Sequence, residues 1–333
     1  MTATNHSANQ GRVPAQGVPA QQMPTTAPAA PVQGAPVPAA GQTAHVQAAQ
    51  APAQQGQVLQ APHGQVPAQQ RASRRRVQAK QTFFSVFRSE WSKLASLRST
   101  WITAAIASLI TIGISVLIMA QYVGTKGYAD KAANYLTVGS SFGQIAVAVL
   151  GALLITGEYS SGQIRSSLAA VPRRGRLFAA KALVVAIFSA LLGLVTVTLT
   201  YLLSLPILGD KAGSLSNPEY LGFFWGTAMA FAIIGLMAMS FGYILRSTAG
   251  SISLVVVLLF VLLIPLGLAA SKWEWVQYIT DVLPSSSAAA VADPYHLLGA
   301  ITKLDHGVVI ASGYAWAIIP MIIAFFVFSK RDA

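Results

Sequence analysis

Residues 221–245 read LGFFWGTAMAFAIIGLMAMSFGYIL, an apolar run without an acidic, basic or histidine side chain. A helix of about 20 such residues crosses the hydrocarbon core of a bilayer, which is ~30 Å thick. On either side of this run lie five more stretches of similar length and composition, at 101–123, 138–156, 177–203, 250–270 and 308–328. Lys181 is the one ionisable residue within the six stretches. The sequence therefore predicts an all-α integral membrane protein with six transmembrane helices.

Basic residues are distributed unequally between the two sides of these stretches. When the flanks are numbered alternately, one side carries 16 Lys and Arg residues and the other carries five. The five are Lys126, Lys131, Lys211, Lys272 and Lys303. Basic loops stay in the cytoplasm, so we expect both termini to be cytoplasmic. The net charge of +12 is explained by these membrane flanks, which meet anionic lipid, and a nucleic-acid partner is not expected.

The region before the first stretch divides into two parts. Residues 1–70 are rich in Pro, Gln and Ala and contain no Phe, Tyr, Trp or Ile, so they are predicted to form a disordered cytoplasmic tail. A passive tail is favoured over a tether or a proline-rich ligand. Residues 71–99 begin with a basic cluster and continue as an amphipathic helix that lies in the membrane interface. Its apolar side chains recur at helical spacing: Phe84, Phe87, Trp91 and Leu94. Residues 100–333 form the six-span domain.

The loop after the second stretch, residues 157–176, reads GEYSSGQIRSSLAAVPRRGR. Glu158 is placed at the start of a short helix, where the positive end of the helix dipole favours a carboxylate. Ile164, Leu168 and Val171 fall on one face of that helix, and Pro172 ends it. Two alternatives remain open for this apolar stripe. It faces either the bundle of the protein itself or a soluble partner.

Two of these segments resemble a known family. The amphipathic segment 89–100, SEWSKLASLRST, is similar to the elbow helix of ABC-2 type transporter permeases, and the loop is similar to their coupling segment, especially in actinobacterial members. The resemblance implies a coupling loop that binds a separate ATP-binding cassette subunit through Glu158, Gly162, Ile164, Arg165, Leu168, Val171, Arg173 and Arg174. It also implies a homodimer or a heterodimer with another permease in the bacterial cytoplasmic membrane. Gln163, where many relatives have Thr, and the long tail depart from the family pattern.

Several other classes of function are disfavoured. The sequence has no Gly-x-x-x-x-Gly-Lys-Ser/Thr motif, so ATP hydrolysis is expected on a separate chain. It has no cysteine, and no catalytic residues or cofactor site are predicted. The aspartates and histidines at 293–306 are interpreted as hydrogen-bonded loop residues and not as metal ligands. Two glycine pairs, Gly139 with Gly143 and Gly222 with Gly226, are typical of close helix contacts but also arise by chance.

The function predicted from these observations is a membrane-spanning permease subunit of an ABC transporter. The spans lack the ionisable groups that ion coupling or intramembrane catalysis needs, so an apolar or amphipathic compound, moved outward, is the expected substrate. The alternative is a membrane scaffold or regulatory protein that recruits a soluble partner without transport.

Overall fold

The computed structural model describes residues 82–330, and every regular element in this part of the chain is helical. Six helical segments are long and apolar enough to cross a membrane, which confirms the predicted fold class and number of spans. They are Arg98–Val123, Ala129–Ser160, Arg174–Lys211, Pro218–Leu245, Thr248–Ala270 and His306–Lys330. The predicted disordered tail and the basic cluster at 71–80 lie outside the described residues.

The predicted interfacial helix is α1, Phe83–Ser96, and its first turn is capped by Thr82, whose side-chain oxygen accepts a hydrogen bond from the Ser85 amide. It ends at Leu97, which is extended, and α2 (Arg98–Val123) begins at once. Leu94 is buried, and Phe87 and Trp91 pack on the same cluster of the bundle, whereas Phe84 is 70% exposed. Val86 near the start of the helix and Glu90 at its middle are also buried, so the helix rests on the bundle along one face.

The second span is longer at both ends than the apolar stretch 138–156. A 3-10 helix, Ala129–Thr137, leads into α3, Ser140–Ser160. After α3 come the short helix α4, Gln163–Ala170, and the long helix α5, Arg174–Leu208. The fourth span is α6, Pro218–Leu245, which packs against α3, α5 and the sixth span. It is the centre of the bundle, since 67% of its apolar window is buried.

The glycines explain how closely these helices approach. A Cβ atom added to Gly143 on α3 would stand 3.0 Å from the Ala107 carbonyl oxygen, and one added to Gly226 would stand 2.5 Å from the Val291 carbonyl oxygen. Gly143 and Gly226 therefore lie at close helix contacts, whereas the nearest neighbour of Gly222 is the Tyr295 side chain. Gly151 and Gly235 form a further contact, between α3 and α6. Small residues let helix backbones meet, which is how membrane helices gain packing energy without a hydrophobic driving force.

The fifth span is irregular. It consists of α7 (Thr248–Val256), one π-helical turn (Val257–Val261) and α8 (Leu263–Ala270). Pro265 in α8 has no amide hydrogen, so the preceding turn cannot complete the α-helical hydrogen-bond pattern.

The long loop that follows contains α9 (Glu274–Asp281) and α10 (Pro284–Ala292), and the last span is α11 (His306–Lys330). α10 is largely buried against α6 and α11.

Candidate functional site

The loop between the second and third spans forms the predicted short helix, α4. It starts after Gly162, whose φ of +70° is a left-handed conformation that favours glycine, and it ends at Ala170, just before Pro172. Pro172 disfavours the α conformation at Val171, which has φ −125° and ψ 86°. The turn at Gly162 and the proline mark the two ends of α4, which is therefore a distinct short helix between α3 and α5.

The apolar stripe of α4 faces the bundle of the protein itself. Ile164 is 3% exposed and Val171 9% exposed, and Leu168 packs against the same cluster. This cluster includes Leu177 and Phe178 of α5. The expectation that the stripe contacts a partner directly therefore has to be revised, since these side chains are already covered. The outer side of α4 presents other residues: Gln163, Arg165, Ser166, Ala169, Ala170, Pro172 and Arg173.

Glu158 was placed at the start of a helix, and this prediction is wrong. It lies in the last turn of α3, where the helix dipole is negative and disfavours a carboxylate. Glu158 is nevertheless 6% exposed. Its Oε1 atom accepts from the ammonium of Lys181 at 2.7 Å and from that of Lys93 at 3.1 Å. The carboxylate is thus paired with two cations and is not placed at the positive end of a helix dipole.

Glu90 on α1 completes the arrangement. Lys181 donates to Glu90 Oε2 at 2.5 Å, and Lys93 donates to Glu90 Oε1 at 2.8 Å. Both lysines therefore bridge both glutamates. We call these four residues, Glu90, Lys93, Glu158 and Lys181, the charge cluster. Lys181 is fully buried and Glu90 is 3% exposed, so most of the cluster is out of contact with water.

The charge cluster is neutral as a whole, with two carboxylates and two ammonium groups. Taking such ions out of water costs several kcal/mol each, and the cost is offset only when every charge is paired in good geometry. The balance is visible at Lys93. Burial alone would lower the pKa of Lys93, but the carboxylates of Glu90 and Glu158 outweigh it and raise this pKa above its usual value. The cluster is therefore stable only as a complete set.

Ser167 connects α4 to the charge cluster. Its hydroxyl oxygen lies 3.0 Å from Lys93 Nζ, which donates to it, and 3.5 Å from Glu158 Oε2. Four helices thus meet at this point: α1 through Glu90 and Lys93, α3 through Glu158, α4 through Ser167 and α5 through Lys181. These contacts connect α4 to the amphipathic helix α1 and to the second and third spans, α3 and α5.

A cavity of about 460 Å³ adjoins the charge cluster. Lys93 and Glu158 line its polar end, and Leu150, Leu153 and Leu154 of α3 line its apolar wall. The cavity leaves room between α2 and α3 for the helices to shift relative to each other. Among residues 82–330 no group of three or more His, Cys, Asp or Glu side chains is arranged to hold a metal ion.

The arginines of the loop have different surroundings. Arg165 and Arg173 are exposed. Arg174 donates to the carbonyl oxygens of Phe328 at 3.1 Å and Ser329 at 3.3 Å, and so ties the start of α5 to the end of α11. It therefore has a structural role in addition to any contact with a partner.

Sequence reasoning missed Glu90, Ser167 and the role of Lys181. A signal was present, because Lys181 is alone in an apolar stretch and a buried cation needs a partner. Glu90 is the first acidic residue of the chain and lies in the amphipathic segment 89–100. Pairing these two opposite charges would have predicted the contact between α1 and α5.

A comparison with known protein families identifies the family of the chain. A family model described as ABC-2 family transporter protein matches residues 86–265, which is more than half of the 333-residue chain. The match begins in α1 and includes the whole charge cluster and α4. A comparison with curated proteins finds no match to the chain. With its six spans, the chain is therefore a multi-pass membrane permease that belongs to the ABC-2 family of transporter proteins.

Proposed function

We propose that the chain is the membrane-spanning subunit of an ABC exporter and that the outer side of α4 binds a separate ATP-binding subunit. Membership of the family implies association with such a subunit. The observation that carries the proposal is the connection of α4 to three other helices through Ser167 and the charge cluster. The sequence has no phosphate-binding loop of its own, so a partner has to supply the energy of ATP hydrolysis.

The proposed contact surface is basic. Arg165 and Arg173 are exposed on either side of the small residue Ala169, which allows another helix or loop to approach closely. An acidic groove on the ATP-binding subunit is the complementary surface, since opposite charges steer and orient an interface. The apolar residues of α4 serve a second purpose in this proposal, because they hold the helix to the bundle.

The charge cluster explains how movement would pass inward. Moving α3 or α5 away from the other helices would leave the buried charge of Glu158 or Lys181 without a partner, which costs roughly 3–5 kcal/mol. The ion pairs therefore favour movement of α1, α3 and α5 as a unit. α4 is joined to this unit by the Ser167 hydroxyl and by its packed apolar side chains, so a displacement of α4 would reach the unit through those contacts. The adjoining cavity provides space for this shift.

The polar groups at membrane depth favour an uncharged or amphipathic substrate. The charge of Lys181 is balanced by Glu90 and Glu158, and several hydroxyl groups form hydrogen bonds within the protein. Ser108 and Thr196 bond to each other at 2.8 Å, and Thr200 donates to the Thr196 carbonyl. Within the apolar stretches Lys181 is the one Asp, Glu, Lys, Arg or His residue and is already paired, so a charged substrate would meet no free opposite charge there. Outward transport of an apolar or amphipathic compound is the direction that we propose.

A second permease subunit is part of the proposal. Only 28% of the apolar window of the first span and 11% of that of the fifth is buried within the chain. Exposed apolar side chains on the first span include Ile102, Ile106, Leu109 and Leu117. Such faces pack against lipid or against another helix bundle, and a homodimer or heterodimer would cover them.

The contact surface is tested by reversing its charges. The double variant Arg165→Glu, Arg173→Glu should insert and fold normally, because both side chains are exposed. Its affinity for the co-expressed ATP-binding subunit should fall by at least about tenfold, since each unfavourable pair at an interface costs on the order of 1 kcal/mol. Pull-down and transport-linked ATP hydrolysis measure this loss. Arg88→Glu, an exposed arginine on α1, is the matched control and should leave binding intact.

Retention of binding and hydrolysis by the double variant would refute the contact surface. Binding without any transport-linked hydrolysis in the parent protein would instead favour the scaffold alternative.

The orientation of the chain in the membrane is tested separately with single cysteines at the exposed positions Ser161 and Ala300, because the natural chain has no cysteine. A membrane-impermeant reagent applied to intact cells should label position 300 and leave position 161 unlabelled.

A further inference from the structure

A pair of histidines closes the end of the bundle opposite to α4. His296 follows α10, and His306 is the first residue of α11. Their Nδ1 atoms lie 3.0 Å apart, and their rings meet nearly at right angles. We call this pair the histidine latch. These are the only two histidines of the chain outside residues 1–70.

The hydrogens of the latch can be assigned from its neighbours. His306 Nε2 lies 2.9 Å from the Asp293 carbonyl oxygen, which only accepts, so Nε2 carries the hydrogen. In neutral His306 the Nδ1 atom is then a bare acceptor. His296 must donate its Nδ1 hydrogen to it. One added proton fits on His296 Nε2 and leaves this bond in place, but a second proton has to occupy His306 Nδ1, where it meets the His296 hydrogen.

The latch holds a strained segment on the bundle. His296 has φ +58°, which is unfavourable for a residue with a side chain. Its neighbours Pro294 and Tyr295 cover Gly222 and Gly226 of α6. The Leu297 carbonyl accepts from Asn134 Nδ2 of the second span at 2.8 Å. The segment 293–298 therefore joins the second, fourth and sixth spans at this end.

We propose that the histidine latch is a proton-sensitive device that keeps the segment 293–305 closed on the bundle at neutral pH and releases it in acid. Imidazole is the side chain that changes charge between pH 5 and 8. When both rings are protonated, the bond between them is lost and two positive charges repel at a centroid distance of 4.5 Å.

Among the described residues, none of the nearby carboxylates forms a hydrogen bond or an ion pair with either imidazole, and each accepts from backbone amides instead. The Asp293 carboxylate accepts from the amides of Leu297 and Leu298, and the Asp305 carboxylate accepts from that of Gly307. The Asp281 carboxylate accepts from the amides of Lys303 and Leu304. Lys303 lies 3.7 Å from Glu274, and its charge therefore has a partner of its own.

Hydrogen exchange of the full chain in lipid nanodiscs tests the device. At pH 5, amides of 293–305 should exchange about tenfold faster than at pH 7.5 after correction for the chemical rate, as expected when one hydrogen bond is lost. His296→Asn should abolish this response. The Asn amide donates to His306 at neutral pH, accepts from it after rotation in acid, and tolerates the left-handed backbone.

His306→Gln keeps the donor to Asp293 and removes the acceptor for His296, so it should exchange rapidly at both pH values. Peptides from α6 serve as the internal reference. The proposal is overturned if the parent protein shows no difference between the two pH values while it remains folded. It is equally overturned if His296→Asn responds to acid as the parent does.

Discussion

The two ends of the helical bundle hold their short helices by different chemistry. At the end that carries α4, full charges are buried together, with Lys181 fully enclosed between Glu90 and Glu158. At the opposite end, the segment around Asp293 is held by backbone amides, a side-chain amide and two imidazoles. Buried ion pairs resist separation, whereas imidazoles change their charge near neutral pH. In our proposals, the first end passes on the movement of α4, and the second opens and closes.

Breaking the charge cluster should have the largest effect. Lys181→Met leaves two buried carboxylates facing the single ammonium of Lys93, so we expect a loss of about 3–5 kcal/mol in stability. The apparent melting temperature of the detergent-purified protein measures it. The double variant Lys181→Met, Glu158→Gln restores neutrality and should regain a large part of the loss. If Lys181→Met melts at the same temperature as the parent, the cluster does not stabilise the fold.

Ile164→Asp tests which way α4 faces. Because Ile164 is 3% exposed in the apolar cluster, the new carboxylate has no partner there and should cost a few kcal/mol. The result should be loss of folded protein, in contrast to the charge reversals at Arg165 and Arg173. A fully stable Ile164→Asp variant that fails to bind the ATP-binding subunit would show that the apolar stripe faces the partner after all.

Substitutions at the end of the bundle that carries the histidine latch should reduce stability less than those in the charge cluster. Asp293→Ala removes the acceptor for the amides of Leu297 and Leu298, which lie 2.9 and 2.8 Å from the carboxylate oxygens. We expect a loss of about 1–3 kcal/mol, the cost of leaving such groups unsatisfied. Asp293→Asn keeps one acceptor and should lose less. Hydrogen exchange of residues 294–300 distinguishes a local opening from unfolding of the whole chain. Faster exchange throughout the protein would contradict the claim that Asp293 stabilises only this end of the bundle.

Ser167→Ala should have the smallest effect on stability and an informative one on function. It removes one acceptor from Lys93, which keeps both of its carboxylate partners, so the expected loss is about 1 kcal/mol. If Ser167 connects α4 to the charge cluster, ATP hydrolysis should become less dependent on the transported compound while partner binding is unchanged. Ser89→Ala, which changes an exposed serine on α1 outside the proposed contact surface, is the control.

Several features followed from local patterns. Phe84, Phe87, Trp91 and Leu94 recur at helical spacing, and Pro172 excludes the α conformation at the residue before it, so α1 and the end of α4 were predictable. Which face of each helix packs against the rest of the protein was not predictable from these patterns. Ile164 and Arg165 are neighbours in sequence, yet one is covered by Leu177 and Phe178 of another helix and the other is exposed.

Hydropathy and basic flanks are properties of contiguous residues, and a bilayer selects on them directly through its thickness and surface charge. They were sufficient for the six spans, for the amphipathic helix α1 and for the position of the loop that carries α4. The pairing of Glu90 with Lys181 joins residues 91 positions apart, and it depends on where α1 and α5 pack. Only the tertiary structure could place Glu158 at a helix end between two lysines, because the energy of a buried charge depends on its neighbours in space.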